Sequence, residues 1–260
     1  MTFPPAFPDL SRRNLQPEVM DQPDLDDASH RQALAGLKRI NFVSGSVRIL
    51  WSPIKSLAKE LRVRRLRVLD VASGGGDVAV GLWRKAHRDG LELNIVGCDK
   101  SPTAVLHAEQ LTEQARAGVR FETRDVLAEP LPVDCDVVMS SLFLHHLPQE
   151  DAVALLRNMS TACRHLLLIN DLRRCLSGYF LAHAACRLLS RCPVVHVDGP
   201  RSVAGAFTRG EVLRLCEDAG LSDARFAARW PYRFLLMWNR KCPTFGETDS
   251  TESSDASPAT

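Results

Sequence analysis

The chain has 260 residues, of which 45% are hydrophobic and 25% charged, a composition typical of a globular protein with one substantial core. Wholly disordered, collagen-like and fibrous classes are therefore excluded. Its 33 basic and 31 acidic residues leave a formal net charge of only +2, so a nucleic-acid partner held mainly through phosphate contacts is not indicated.

The cysteines and the first residues point to a cytoplasmic protein with reduced thiols. None of the eight cysteines forms a C-x-x-C pair, and the start lacks an apolar region that a signal peptidase could use. The most apolar segment, residues 176–189, contains His183 and Arg187 and is too short to cross a bilayer. The sequence therefore predicts no membrane span.

Both ends of the chain differ in composition from its centre. Residues 1–30 carry five prolines and a cluster of acids, which predicts a flexible N-terminal arm. Residues 242–260 are rich in Ser, Thr and acids, which predicts a disordered tail. Between them, residues 31–241 form one predicted domain. It begins with a helical cover over residues 31–60, where Leu34, Leu37 and Ile40 follow helical spacing.

From Leu66 onward, apolar strand-like runs alternate with helical segments near 77–88, 102–116 and 149–162. Ser101 is placed to cap the second of these helices and Gly118 to end it. Two later extended runs meet at Trp230 and Pro231, which predicts an antiparallel hairpin. The expected fold is α/β: a Rossmann-like, mostly parallel seven-stranded sheet with a C-terminal antiparallel hairpin and helices on both faces.

A glycine loop is the sharpest chemical signal. The apolar run from Val68 leads directly into Gly74, Gly75 and Gly76 at a predicted helix start, where a ligand can approach bare backbone and free N–H groups. Gly74-x-Gly76-x-x-Ala79 also fits the dinucleotide fingerprint, so an NAD(P)-dependent Rossmann oxidoreductase is one alternative.

Charge favours a different nucleotide. Asp70 ends the strand and Asp77 lies in the first helical turn, where both would repel a pyrophosphate. S-adenosylmethionine has no phosphate and carries an ammonium and a sulfonium cation, which these carboxylates would attract. Asp99 follows the next strand and is placed to accept from ribose hydroxyls. Asp125 follows the third strand and is placed to accept from an adenine amino group.

These residues resemble class I S-adenosylmethionine-dependent methyltransferases over about residues 33–240. The glycine motif of that family, [D/E]-x-G-x-G-x-G, reads here Asp70-Val-Ala72-Ser-Gly74-Gly-Gly76, with alanine in place of the first glycine. Residues 40–51 and the loop resemble the methyltransferases of ubiquinone and menaquinone biosynthesis. The loop, the strand-end acids and this resemblance together give a predicted cofactor site of Asp70, Ala72, Ser73, Gly74, Gly75, Gly76, Asp77, Asp99, Lys100, Asp125, Val126 and Ser141.

The part of the site that binds the methyl acceptor is expected to come from the residues after the fourth and fifth strands. Residues 172–207 form a long insertion that we interpret as a lid, with Phe180, Ala184 and Leu188 on the apolar face of its helix; a plain packing helix is the alternative. His145 and His146 follow the fourth strand and are the candidate catalytic residues. His146 is the preferred base for removing a phenolic proton, although such a pair can also simply fill space.

The sequence thus predicts methyl transfer from S-adenosylmethionine to an oxygen or carbon of a small aromatic, polyketide-like or quinone-like acceptor. A methyltransferase-like binding protein without activity is the second alternative. No His, Cys, Asp or Glu set has metal-ligand spacing, so no metal is expected. The expected partner is a small molecule and not a nucleic acid, and a homodimer is left open.

Overall fold

In a computed structural model, which describes residues 8–22 and 24–240, the predicted α/β fold is confirmed. Seven strands in these residues form one sheet with the order β3-β2-β1-β4-β5-β7-β6. Strands β1 to β5 are parallel, and β7 is antiparallel to both β5 and β6. The strands are β1 (Arg65–Val71), β2 (Glu92–Asp99), β3 (Val119–Thr123), β4 (Cys135–Ser141), β5 (Cys163–Leu172), β6 (Arg225–Arg229) and β7 (Arg233–Asn239).

The same residues form eight α-helices, and short 3-10 turns lie at Val19–Asp21 and Leu144–His146. The helices are α1 (Asp27–Val43), α2 (Ser46–Glu60), α3 (Asp77–Arg88), α4 (Pro102–Ala115), α5 (Gln149–Ala162), α6 (Leu176–Leu189), α7 (Pro193–Gly205) and α8 (Arg209–Asp218). None of the described helices is both long and apolar enough to cross a membrane.

Local sequence signals explain most helix ends. The Ser101 side chain accepts from the Ala104 N–H and starts α4, as predicted. The expected stop at Gly118 is wrong: α4 ends at Ala115, and Arg116 itself adopts the left-handed conformation with φ of 49°. Two backbone hydrogen bonds to carbonyl groups in the last turn of α4 hold the chain in this conformation, so a glycine is not required.

The sheet is buried on both faces. On one face, Leu69 and its neighbours pack against α5 and α8; on the other, Val68 and its neighbours pack against α2 and α3. Parallel strands covered by helices on both sides consist of nearly continuous apolar residues, which is why the strand-like runs of the sequence were easy to locate. Burying each such side chain contributes about 1.5 to 3 kcal/mol.

The arm packs against the body along its described part. The carboxylate of Asp198 accepts from the N–H groups of Val19 and Met20 at 2.9 and 3.0 Å, and the Asn14 N–H donates to the Ala204 carbonyl at 3.1 Å. Helix α1 begins at Asp27, earlier than the predicted cover. The flexibility of residues 1–30 stays a prediction, and the predicted tail over 242–260 lies outside the described residues.

The predicted helix is present as α6, but the side of α6 that faces the protein interior is not the predicted one. Phe180 and Leu188 are exposed, whereas Gly178 and Cys186 are buried. The expectation that Phe180, Ala184 and Leu188 form its inner face is therefore wrong. The reason is that α6 is apolar on almost every side, so the spacing of apolar residues could not distinguish the two faces. Its role as a lid stays a prediction.

Candidate active site

A cavity of about 830 Å³ opens at the carboxyl ends of the parallel strands, between the sheet edge, α1, α6 and α7. It is lined by all the predicted site residues except Gly76: Asp70, Ala72, Ser73, Gly74, Gly75, Asp77, Asp99, Lys100, Asp125, Val126, Ser141, His145 and His146. Ligands bind at this edge in open α/β sheets.

Two glycines of the loop, Gly74 and Gly76, serve different structural purposes. At Gly74, φ is 53° and a Cβ would meet no atom within 4 Å, so its bare backbone faces open space. At Gly76, φ is 73° and a Cβ would lie 2.6 Å from Phe121 and 2.7 Å from Ala108. Gly76 does not line the cavity; it lets the loop turn and pack closely against α4 and β3.

Ala72 occupies the position where the resembled family has its first glycine. Its φ is 55°, which lies in the left-handed region that disfavours every residue with a Cβ. The substitution of alanine for glycine is therefore a strained one.

We expect Ala72→Gly to raise the free energy of unfolding by about 0.5 to 1 kcal/mol, because glycine adopts this φ without strain. Urea unfolding of the two proteins would measure the difference. Unchanged or lower stability would mean that the loop relaxes around alanine. Gly220→Ala, at φ of 78° in an open turn, is the matched control and should lose stability.

Asp70 is a buried carboxylate at the floor of the cavity. It is 1% exposed, and within the described residues its Oδ2 atom has no hydrogen-bond partner. Burial, together with the charges of Asp77 and Asp99, raises the pKa of Asp70 well above its usual range. Burial also raises the pKa of Asp77, although a hydrogen bond from Asn41 opposes the shift. The site therefore has an unmet requirement for positive charge.

Arg233 is a buried cation that also lines this cavity. Its guanidinium donates to Ser46 Oγ at 2.6 Å and to Asn41 Oδ1 at 3.4 Å, and both acceptors are neutral. No carboxylate among the described residues lies within 4.0 Å of it. Burial lowers its pKa to about 10. Arg233 is not among the residues predicted from the sequence, because nothing in a strand-like run marks one arginine as buried.

Asp99 shapes the loop as well as facing the cavity. Its Oδ2 accepts from the Gly74 N–H at 2.8 Å, and its Oδ1 accepts from the Ser101 N–H at 2.9 Å. At the other predicted strand end, Asp125 Oδ1 accepts from the Leu127 N–H at 3.0 Å. Both predicted acids therefore stand at the same sheet edge, in positions fixed by backbone N–H groups.

His145 is held between two carboxylates. Its Nδ1 lies 2.6 Å from Asp171 Oδ1, and its Nε2 lies 3.6 Å from Glu18 Oε1. Burial alone would lower the pKa of His145, but the charge of Asp171 and the contacts with both carboxylates raise it above its ordinary value. A protonated imidazole cannot accept a proton, so of the two candidate bases the geometry favours His146.

His146 lies beside the same glutamate but is more open to the cavity. Its Nε2 is 3.8 Å from Glu18 Oε2, and its ring stacks on Phe143 with centroids 6.2 Å apart. Glu18, which accepts from the Ser202 hydroxyl, comes from the N-terminal arm. Burial would raise the pKa of Glu18, but the contact with the protonated His145 holds it below its usual value.

Glu18, His145 and His146 are also a group of ligand-type side chains, with donor atoms within 4.8 Å of one another. A metal needs the lone pair of a neutral imidazole. Asp171 and Glu18 favour the protonated form of His145, so a metal ion would have to displace that proton, which lowers its affinity for this group.

The comparisons with known proteins agree with this geometry. The sequence model of a methyltransferase-domain family matches residues 68–165. A search of curated protein sequences gives no significant match.

Solved structures share the fold at low identity. Human N-acetylserotonin methyltransferase in complex with S-adenosylmethionine has a TM-score of 0.59 at 17% identity, over 84% of this chain and 57% of that one. An O-methyltransferase structure from Nostoc punctiforme has a TM-score of 0.55 at 16% identity, over 76% and 56%. This chain thus spans little more than half the length of either protein.

Magnesium protoporphyrin IX methyltransferase of Synechocystis, with bound S-adenosylmethionine, is matched over 86% of this chain and 88% of that one, with a TM-score of 0.52 at 16% identity. The closer resemblance to quinone-biosynthesis enzymes is not confirmed by these matches. Residues 68–165 thus match a methyltransferase-domain family, and the chain shares the α/β fold of these solved methyltransferases.

Proposed function

We propose that this protein transfers the methyl group of S-adenosylmethionine to an oxygen or carbon of a small aromatic acceptor. The observation that carries the proposal is Asp70, which lines the same cavity as the open backbone of Gly74 and whose buried Oδ2 lacks a hydrogen-bond partner within the described chain. A cationic amino group meets the requirement of Asp70, and a pyrophosphate does not.

The residues present fit the cofactor at each of its parts. Asp70 would hold its ammonium group, and Arg233 has the charge to hold its carboxylate. Asp99 would accept from the ribose hydroxyls and Asp125 from the adenine amino group. When bound, S-adenosylmethionine supplies an electrophilic methyl group on its sulfonium sulfur.

The remaining tasks of the protein are alignment, exclusion of water and proton removal. Apolar side chains of α6 and α7, including Leu181 and Val203, line the acceptor part of the cavity. His146 would accept the proton of a phenolic acceptor, with Glu18 stabilising the resulting charge. A base beside the cavity suits transfer to a phenolic oxygen, and it also suits transfer to an activated carbon.

Calorimetric titration with S-adenosylhomocysteine, beside NADH and NADPH, tests the proposal. We expect micromolar binding of S-adenosylhomocysteine alone. Binding of a nicotinamide nucleotide instead would favour the oxidoreductase alternative. Cofactor binding without transfer to any phenol or quinol in a radiolabelled methyl screen would favour the inactive binding protein.

Asp99→Ala should weaken S-adenosylhomocysteine binding by about 1 to 3 kcal/mol, the scale for losing hydrogen bonds to a charged group. Part of this loss would come from the loop, because the substitution also releases the Gly74 N–H. Asp99→Asn keeps one acceptor oxygen and should lose less. Calorimetry gives both affinities, with the surface variant Glu109→Gln as control; unchanged affinity in a folded Asp99→Ala protein would contradict the ribose assignment.

A further inference from the structure

Large apolar side chains are exposed around the mouth of the cavity. Phe42 and Val43 end α1, Phe180, Leu181 and Leu188 lie on α6, and Trp230 lies in the turn between β6 and β7. Phe42 is 86% exposed, Leu188 84% and Trp230 67%. We call these six residues the apolar rim. Isolated exposed apolar residues are ordinary, but a contiguous group marks an interaction surface.

Contacts between the three elements show that they form one surface. The Arg39 guanidinium on α1 donates to the Leu189 carbonyl at the end of α6, at 2.7 Å. At the other end of α6, Gly178 packs so closely on Tyr232 that a Cβ would lie 3.1 Å from the Tyr232 side chain. Val43, Leu181 and Trp230 are exposed and also line the cavity. The rim therefore surrounds the entrance to the acceptor site.

The segments that supply the rim carry basic but no acidic residues. The sequence contains no Asp or Glu in residues 28–59, 172–197 or 224–240, and Asp27 lies at the opposite end of α1 from Phe42. Exposed basic residues stand at Lys38 and Arg39 on α1, at Arg187 on α6 and at Arg191 just after α6. This separation is notable in a protein whose net charge is only +2. Aromatic and aliphatic side chains beside lysine and arginine are the composition of surfaces that bind at the interface of anionic bilayers.

We propose that the apolar rim docks on an anionic phospholipid surface, from which a lipophilic acceptor enters the cavity. The entry of an acceptor from this surface rests on the proposed function, whereas the docking of the rim on the surface does not. A symmetric pairing of two copies through the rim is disfavoured, because it would bring the same arginines and lysine face to face. A lipophilic aromatic acceptor would partition into the bilayer, and a cavity mouth lying on that surface would receive it without passage through water.

Cosedimentation with vesicles tests the docking. The full chain should bind vesicles of mixed phosphatidylcholine and phosphatidylglycerol and bind phosphatidylcholine alone much more weakly. Phe42→Ser/Leu188→Ser should lower the partition coefficient about 10-fold or more, because two exposed apolar side chains no longer enter the interface. Arg187→Gln/Arg191→Gln should lower binding to the anionic vesicles about fivefold per residue and reduce its salt dependence.

Matched controls lie at the opposite edge of the sheet. Val133 is 66% exposed in the loop before β4, and Val133→Ser should bind vesicles as the wild type does. Arg62→Gln/Arg64→Gln removes two exposed charges ahead of β1 and should have a small effect. Calorimetry with S-adenosylhomocysteine should give the same affinity for all these variants, so a failed docking and a failed cofactor assignment are distinguishable.

Three outcomes would overturn the proposal. The wild type could fail to bind the anionic vesicles, or the Phe42→Ser/Leu188→Ser protein could bind them equally well. Sedimentation velocity could instead show a dimer that these rim substitutions convert to a monomer, which would assign the rim to a second copy of the chain.

Discussion

Asp70→Asn is expected to make the protein more stable and a worse cofactor binder at the same time. The substitution removes a carboxylate that is buried without a partner for Oδ2 in the described chain, so the free energy of unfolding at pH 7 should rise by about 1 to 3 kcal/mol. It also removes the negative charge proposed to hold the cofactor ammonium. Binding of S-adenosylhomocysteine should therefore weaken about 10- to 100-fold.

The stability difference between the wild type and Asp70→Asn should depend on pH, and its direction follows from the raised pKa of Asp70. Because the pKa of Asp70 is raised in the folded protein, the carboxyl stays protonated while the same group in the unfolded chain ionises. The wild type therefore loses stability relative to Asp70→Asn as the pH rises from about 4 toward the raised pKa. Thermal unfolding at several pH values measures the difference, which should vanish near pH 4.

The cofactor should also displace a proton from Asp70. An ammonium group beside the carboxylate favours its ionised form, so calorimetry in two buffers of different ionisation enthalpy should show proton release on binding. Glu109→Gln, on the exposed surface of α4, should leave stability and affinity unchanged. Equal affinity for wild type and Asp70→Asn would remove Asp70 from the cofactor site.

His146→Ala should lower kcat about 100-fold or more and leave S-adenosylhomocysteine affinity nearly unchanged, because general-base catalysis contributes on this scale. The assay would use the phenol or quinol that the acceptor screen identifies. His183→Ala, at an exposed position of α6, is the matched control and should retain activity. A fully active His146→Ala protein would mean that alignment of the cofactor and the acceptor, without a general base, accounts for the rate of methyl transfer.

Glu18→Gln separates proton removal from simple packing. The substitution preserves shape but removes the charge 3.8 Å from His146 Nε2, so the imidazolium formed during transfer would be less stable. Turnover at saturating cofactor and acceptor should therefore fall, whereas a side chain that only packs against His146 would leave turnover unchanged. Thermal stability would show whether the lost contact with His145 also matters.

The sequence was informative where function depends on local segments. The strand followed by a glycine loop, and the acids that end β1, β2 and the third strand region, all come from short patterns. The topology of a parallel sheet brings those strand ends to one edge. The sequence alone was therefore enough to place Asp70, Asp99 and Asp125 at the same edge of the sheet.

The sequence was uninformative where a position depends on distant segments. Glu18 stands in a proline-rich arm that resembles a disordered one, and only α7 and the His145 turn fix its position. The inner face of α6 could not be identified, because both of its sides are apolar. At Ala72, the alanine itself is compatible with ordinary backbone, and only the glycine of the resembled family pointed to the positive φ that this residue adopts.

The docking of the arm on α7 has a consequence for the order in which the site forms. Strands β1, β2 and β3 pair in chain order and β4 adds beside β1, so these four strands can assemble before the later segments are synthesised. The Val19 N–H must instead wait for Asp198, 179 residues later in the chain. A nascent chain ending before α7 would therefore lack the docking site of the arm, and with it a finished place for a substrate, and would also lack Arg233 at the cofactor end of the cavity.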